Sequence, residues 1–169
     1  TANDDRRIEQ DDHVEIALDV ARGRTRYHRL VINSEGALLD EIVTATYGTT
    51  WRDAHLVKRE QRESWASGAE VQAARTADGW TLRVSIPLKN LTTNAIAQGM
   101  AGGANFARVR PHGADTWNAP RLSMWAPTFE AFGYPDRFGV LEMRQEPSGS
   151  QPVLAYDFDD DFPAAGFVR

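Results

Sequence analysis

The residues best placed to do chemistry lie in Asn105-Phe106-Ala107-Arg108-Val109-Arg110. In an extended segment, period two sets Phe106, Arg108 and Arg110 on one face, with Ala107 and Val109 on the other. An aromatic ring beside two guanidinium groups suits a sugar. The ring covers the apolar C–H face, and the forked donors reach hydroxyls or a carboxylate. The competing reading makes Phe106 a core residue and pairs the arginines with Asp or Glu. Downstream, Trp117, Trp125, Phe129, Phe132 and Tyr134 interleave with Pro120, Pro127 and Pro135. Proline stiffens such loops and lowers the ordering cost of binding. Exposed aromatic loops of this kind read as a binding surface, although some of the rings must be core.

Other chemistries find little support. His13, His28, His55 and His112 are scattered, and no pair of them shows a metal-ligand spacing. Gly99, Gly102 and Gly103 lead into a strand rather than a helix, so they make no phosphate cradle. There is no G-x-S-x-G nucleophile elbow. Glu15, Glu130 and Asp136 are candidates for a glycosidase carboxylate pair, but sequence alone does not set two of them at the required separation. Asp157, Asp159 and Asp161 imitate the start of a calcium loop, whose later positions are then taken by Phe162 and Val168. Arg22, Arg24, Arg26 and Arg29 read as a solvated basic hairpin. The absence of cysteine excludes a disulfide scaffold, a thiolate metal site and a cysteine nucleophile. Nineteen Lys and Arg against 24 Asp and Glu give a formal charge of −5, the wrong sign for a dedicated nucleic-acid binder. No run approaches the ~20 apolar residues of a membrane span.

The elements that must position these residues are mostly strands. Trp80-Thr81-Leu82-Arg83-Val84-Ser85-Ile86 alternates without a fault, so Trp80, Leu82, Val84 and Ile86 line one face. Asp78-Gly79 is a turn dipeptide, and Gln72–Arg75 reads as the hairpin partner. Val14, Ile16 and Leu18 mark a second strand and Tyr27–Asn33 a third, followed by a turn at Asn33-Ser34-Glu35-Gly36. Ala104–Arg110 and Arg137–Arg144 are further strands, and Ala54–Arg62 is either a solvated loop or a short helix. Short strands at this spacing predict an all-β fold, a β-sandwich of antiparallel strands with an Ig-like or jelly-roll-like plan. Gln145–Pro152 is a linker by composition. The division is therefore a sandwich over residues 1–144, a linker at 145–152, and residues 153–169 as a tail, a returning strand or the first strand of a following domain.

Three blocks make the chain resemble the family 9 carbohydrate-binding modules and their DOMON-related relatives. The first is Asp11-Asp12-His13-Val14-Glu15-Ile16-Ala17-Leu18-Asp19, followed by Tyr27–Asp40. The second is Ala77-Asp78-Gly79-Trp80-Thr81-Leu82-Arg83-Val84-Ser85-Ile86-Pro87. The third runs from Asn105-Phe106-Ala107-Arg108 through Ser123-Met124-Trp125-Ala126-Pro127-Thr128 to Pro135-Asp136-Arg137-Phe138-Gly139. The resemblance implies a β-sandwich without catalysis, sugar binding, frequent calcium, and attachment to a secreted polysaccharide-active enzyme. It also implies a module lacking its N-terminal strands. The family's binding carboxylate falls at Glu15, one clamp aromatic at Phe132, and an Arg near Arg121. The other clamp aromatic falls near Glu9, and an expected Asn falls at Phe129, so the chain departs from the family at both places. Trp125 falls at a structural position.

The expectation is a non-catalytic carbohydrate-binding module of a larger exported protein, extracellular or periplasmic. Its partners would be a glycan or polysaccharide and neighbouring domains of the same protein, with no nucleic acid and no membrane. Glu15, Arg108, Arg110, Trp117, Arg121 and Phe132 are the candidate sugar contacts. Asp11, Asp12, Asp19 and Asp40 offer hard oxygen ligands for calcium, and no organic cofactor is expected. The alternative is a structural or docking β-sandwich that has lost sugar binding. A haem-type electron-transfer domain would need ligands such as Met100, Met124 or Met143, which show no pairing by spacing.

Overall fold

A computed structural model describes residues 2–49, 56–92, 99–110, 121–127, 132–142 and 154–157. It is an all-β structure of antiparallel strands in one large and one small sheet. The large sheet is built from β1 (His13–Asp19), β2 (Arg26–Asn33), β3 (Leu38–Thr49), β4 (Leu56–Ser64), β7 (Ala101–Arg110), β8 (Arg121–Met124) and β9 (Gly139–Glu142). The small sheet holds β5 (Glu70–Arg75), β6 (Trp80–Ser85) and β10 (Leu154–Asp157). The large sheet runs β4-β3-β2-β1-β7-β8, and β9 also pairs with β7; the small one runs β10-β6-β5. Residues 154–157 thus return to pair with β6. Short 3₁₀ turns at Arg6–Gln10 and Pro135–Arg137 and one α-helical turn, α1 (Leu88–Leu91), complete the described elements. None of the described helices is long and apolar enough to cross a membrane.

The alternation in the sequence becomes two-faced burial. On β1, Val14, Ile16 and Leu18 turn toward β6 and join Leu30, Ile32, Phe106, Trp80 and Leu82 in the principal core. That core fills the space between the sheets, as two stacked sheets require. The other face of β1 carries His13, Glu15, Ala17 and Asp19, and these are buried as well. Two smaller apolar clusters cover parts of this second face. One contains Ala17, Tyr27, Val43, Ala107, Phe132 and Phe138, and the other Ile8, Val31, Ala37 and Leu39.

Three elements differ from the sequence reading. Leu56–Ser64 is a strand on the sheet edge rather than a loop or helix, because its backbone pairs with β3 from Glu41–Ser64 to Thr49–Leu56. Its charged side chains are what an edge strand tolerates and what discourages further pairing. Leu38–Thr49 forms a twelve-residue strand that the polar pair Asp40-Glu41 hid from the apolar pattern. The strand expected over Arg137–Arg144 begins only at Gly139, because Pro135–Arg137 takes a 3₁₀ turn first, and Met143 and Arg144 lie outside the described residues.

Candidate functional site

Two polar assemblies lie on opposite sides of the large sheet. The first crosses its second face. Glu15 on β1, Arg29 on β2, Glu41 on β3 and Arg62 on β4 alternate in sign across four adjacent strands. Arg29 sets its fork on Glu15, with Nε and Nη2 each 2.9 Å from a carboxylate oxygen, and its Nη1 donates to Glu9 and Glu41 at 2.7 Å. Arg6 donates to the other oxygen of Glu41 at 2.9 Å. His13 closes the row, with Nε2 3.4 Å from Glu15 and Nδ1 2.7 Å from the Asp11 carbonyl.

Burial pushes the Glu15 carboxyl upward, but the His13 hydrogen bond and the Arg29 guanidinium outweigh it and hold the group at about 2. Burial likewise pulls Arg29 downward, and its carboxylate partners, Glu15 first, reverse that and raise it. Glu15, expected to meet sugar hydroxyls, is instead satisfied inside this row and is only 9 % exposed. Phe132, expected as a stacking platform, is 8 % exposed and packs with Tyr27 and Phe138, so its ring serves the core.

The second assembly is an open cleft of about 350 Å³ at one end of the sandwich. Trp80 and Arg75 bring the small sheet to it, Arg108 and Arg110 the large one, and Asp12 and Ser34 enter from the turns. Its geometry follows from the strands. Phe106, Arg108 and Arg110 share a face of β7 that runs from the core toward the mouth: Phe106 is buried in the principal core, and both arginines line the cleft. Trp80 opens β6 directly after the Asp78-Gly79 turn, which the Thr76 N–H closes onto the Gly79 carbonyl at 2.9 Å. The Arg108 guanidinium lies 5.7 Å from the Trp80 ring centroid, within cation–π range. It also forks onto Asp12, with Nε to Oδ1 at 3.1 Å and Nη2 to Oδ2 at 2.8 Å. Arg75 pairs with Glu35 beside the mouth.

The structure therefore brings Arg108 and Arg110 together and sets Glu15 and Phe132 elsewhere. The backbone register makes Arg121 the partner of Arg110 across β7 and β8. Trp117, Phe129 and Glu130 lie outside the described residues. Trp80, Asp12, Ser34 and Arg75 were not foreseen as members of one site. Trp80 and Asp12 stood out in the sequence for other reasons, as a strand face and a calcium ligand; the pairing of β1 with β7 brings Asp12 to Arg108, and the meeting of the two sheets brings Trp80.

Each of the four aspartates considered for calcium has partners within the protein. Asp11 accepts from the Asn33 amide at 2.9 Å, and Asp12 takes the Arg108 fork. Asp19 accepts from the Gly23 and Arg24 N–H groups at 3.1 and 2.7 Å, closing a loop in which Arg22 and Arg24 adopt positive φ. Asp40 accepts from the Ser67 N–H at 2.7 Å. Among the described residues, no three His, Asp or Glu side chains gather as a metal cluster.

No family model matches the chain, and no curated protein or solved structure matches it.

Proposed function

We propose that the protein is a non-catalytic carbohydrate-binding module whose sugar site is the cleft at the end of the sandwich. The observation that carries this reading is the convergence of Trp80, Arg108, Arg110, Asp12 and Ser34 on one open cavity. Guanidinium forks, a carboxylate and a hydroxyl there present both donors and acceptors, the mixture that ring hydroxyls need. The cavity volume suits one or two sugar units, at the lower end of small-ligand sites. Two of the three arginines that the sequence singled out for sugar contact, Arg108 and Arg110, line it. The resemblance to family 9 modules supports the same class of ligand, with the binding position moved from the Glu15 and Phe132 positions to the sandwich end.

The test is a glycan array on the whole chain, followed by titration calorimetry on the best ligand. Binding in the micromolar-to-millimolar range, worth roughly 4–8 kcal/mol, is expected. Arg110→Ala is expected to lose it while the far-UV spectrum stays unchanged. The burial of both Glu15 and Phe132 favours the second reading, a docking sandwich without a sugar site. Absence of binding to every glycan tried would favour that reading.

A further inference from the structure

Strand β4 is an edge of the large sheet, and among the described residues no strand pairs with its outer side. Proteins blunt such edges by shortness, bulges, proline or charge. β4 is nine residues long, holds no proline, and pairs with β3 without a bulge from Glu41–Ser64 to Thr49–Leu56. Charge is the device it uses. Charge keeps most strands away, but it also selects a strand whose charges match.

The ladder fixes which backbone groups this edge presents. The Trp65 N–H donates to the Asp40 carbonyl at 3.4 Å, and the Ala45 N–H to the Thr25 carbonyl at 2.7 Å. Directly opposed residues of antiparallel strands alternate between bonded and non-bonded pairs. Both bonds therefore give one phase: Ile42–Glu63 and Thr44–Gln61 exchange bonds within the sheet, and the main chains of Glu60 and Arg62 are directed away from β3. The side chains of Glu60 and Arg62 share the second face. Arg62 donates to Glu60 at 3.0 Å and to Glu9 at 3.1 Å, and lies 3.4 Å from Glu41. Gln61, between them, is exposed on the other face.

We infer that β4 pairs antiparallel with β4 of a second copy of this chain, about a twofold axis through Gln61, so that two large sheets join edge to edge. An axis normal to the sheet keeps each face on its own side, so it passes at a residue. At Gln61 it sets Glu60 of each copy opposite Arg62 of the other, a favourable cross-strand pair. At Glu60 or at Arg62 it would oppose like charges, which is destabilising. The Gln61 register also turns the outward main chains of Glu60 and Arg62 to one another, so each such pair exchanges two backbone bonds. Arg62 keeps the carboxylates of its own copy. The partner's Glu60 then extends the row Glu15, Arg29, Glu41, Arg62 by one more alternation of sign.

One strand edge is a small contact, so the dimer is weak. Sedimentation equilibrium on the whole chain tests it between about 10 µM and 1 mM. The expected mass rises across that range from 18.8 kDa toward twice that value. Glu60→Arg turns both opposite-charge pairs into like-charge pairs and is expected to weaken the dimer about tenfold or more. The chain has no cysteine, so Gln61→Cys places one thiol per copy at the axis, and mild oxidation is expected to link two copies. Glu63→Cys, on the same face, sets its thiols about 13 Å apart along the strands, beyond disulfide reach. Unchanged circular dichroism verifies that each variant folds, and the two cysteine variants decide the matter if Glu60→Arg does not. A chain that stays monomeric at the highest concentration overturns the inference. So does a dimer that folded Glu60→Arg leaves as tight, or oxidation that links Glu63→Cys as fast as Gln61→Cys.

Discussion

Arg29 shows how one side chain can govern a sheet face. It reaches Glu9, Glu15 and Glu41 from three separate segments of the chain, and it is itself only 5 % exposed. A buried pair of charges gains little over an apolar pair, but removing one partner strands the others out of water. Arg29→Ala would leave three carboxylates facing one another with only Arg6, Arg62 and His13 at the margins. The expected loss is about 3–5 kcal/mol, read as a lowered midpoint in urea. The same row makes stability depend on acid. Glu15 titrates at about 2 in the fold against its usual 4.5, so the folded state holds its proton less tightly. Its contribution is complete above pH 4.5 and is lost as the pH falls toward 2, a loss of about 3 kcal/mol. Glu9 is lowered too, despite burial, by its bonds to Arg29, and adds in the same direction. Urea midpoints measured between pH 7 and pH 2.5 should fall across this window. In Glu15→Gln the profile should be flatter, and an unchanged slope would refute the assignment. The type and strand of Glu15 were legible in the sequence, but its partners were not. Glu41 and Arg29 become neighbours only through the pairing of β2 with β3, and a strict alternation of apolar and polar residues does not say whether the polar face is wet.

Strands β7, β8 and β9 meet at Trp125, whose ring lies 5.6 Å from that of Phe106. Gly139 opens β9 beneath it. A Cβ added there would sit 2.6 Å from the indole Cη2 and 3.1 Å from Cε3, so the ring or the strand would have to move. Overpacking of this kind costs about 1–3 kcal/mol. Gly139→Ala is therefore expected to lower the melting temperature, and Trp125→Phe in the same chain to recover part of the loss. Additive effects of the two changes would show that they do not touch. The Trp125 ring fits here because Gly139 has no side chain. Elsewhere, the elements that the sequence revealed are those whose buried face is apolar. The β5–β6 hairpin declares itself by its turn and by Trp80, Leu82 and Val84. Strand β3 does not, because Asp40 and Glu41 stand where an apolar pattern would continue. These residues are tolerated there only because the Ser67 N–H, Arg29 and Arg6 arrive from elsewhere in the chain.

The two sheets share one core, and the cleft opens where that core ends. Arg108 and Arg110 were legible as a pair because they sit two apart on one strand. Arg75, Asp12 and Ser34 were not, since Asp12 and Ser34 come beside β7 only through the strand pairing of the large sheet and Arg75 only when the small sheet stacks on it. Trp80 joins both functions of this seam. It is 4 % exposed, it packs with Ile16, Leu30 and Phe106 in the principal core, and it lies under the Arg108 guanidinium. If the seam is the sole source of stability for the small sheet, the molecule must unfold as one unit, because a three-stranded sheet without its partner face has little to bury. Circular dichroism and tryptophan fluorescence should then report coincident thermal transitions, the mark of a two-state domain. Trp80→Ala should lower that single midpoint by the equivalent of about 3–5 kcal/mol without splitting it, because the cavity weakens both sheets at once. A second, separate transition in the variant would mean that the small sheet holds together by itself and that the cleft lies between two independently stable halves.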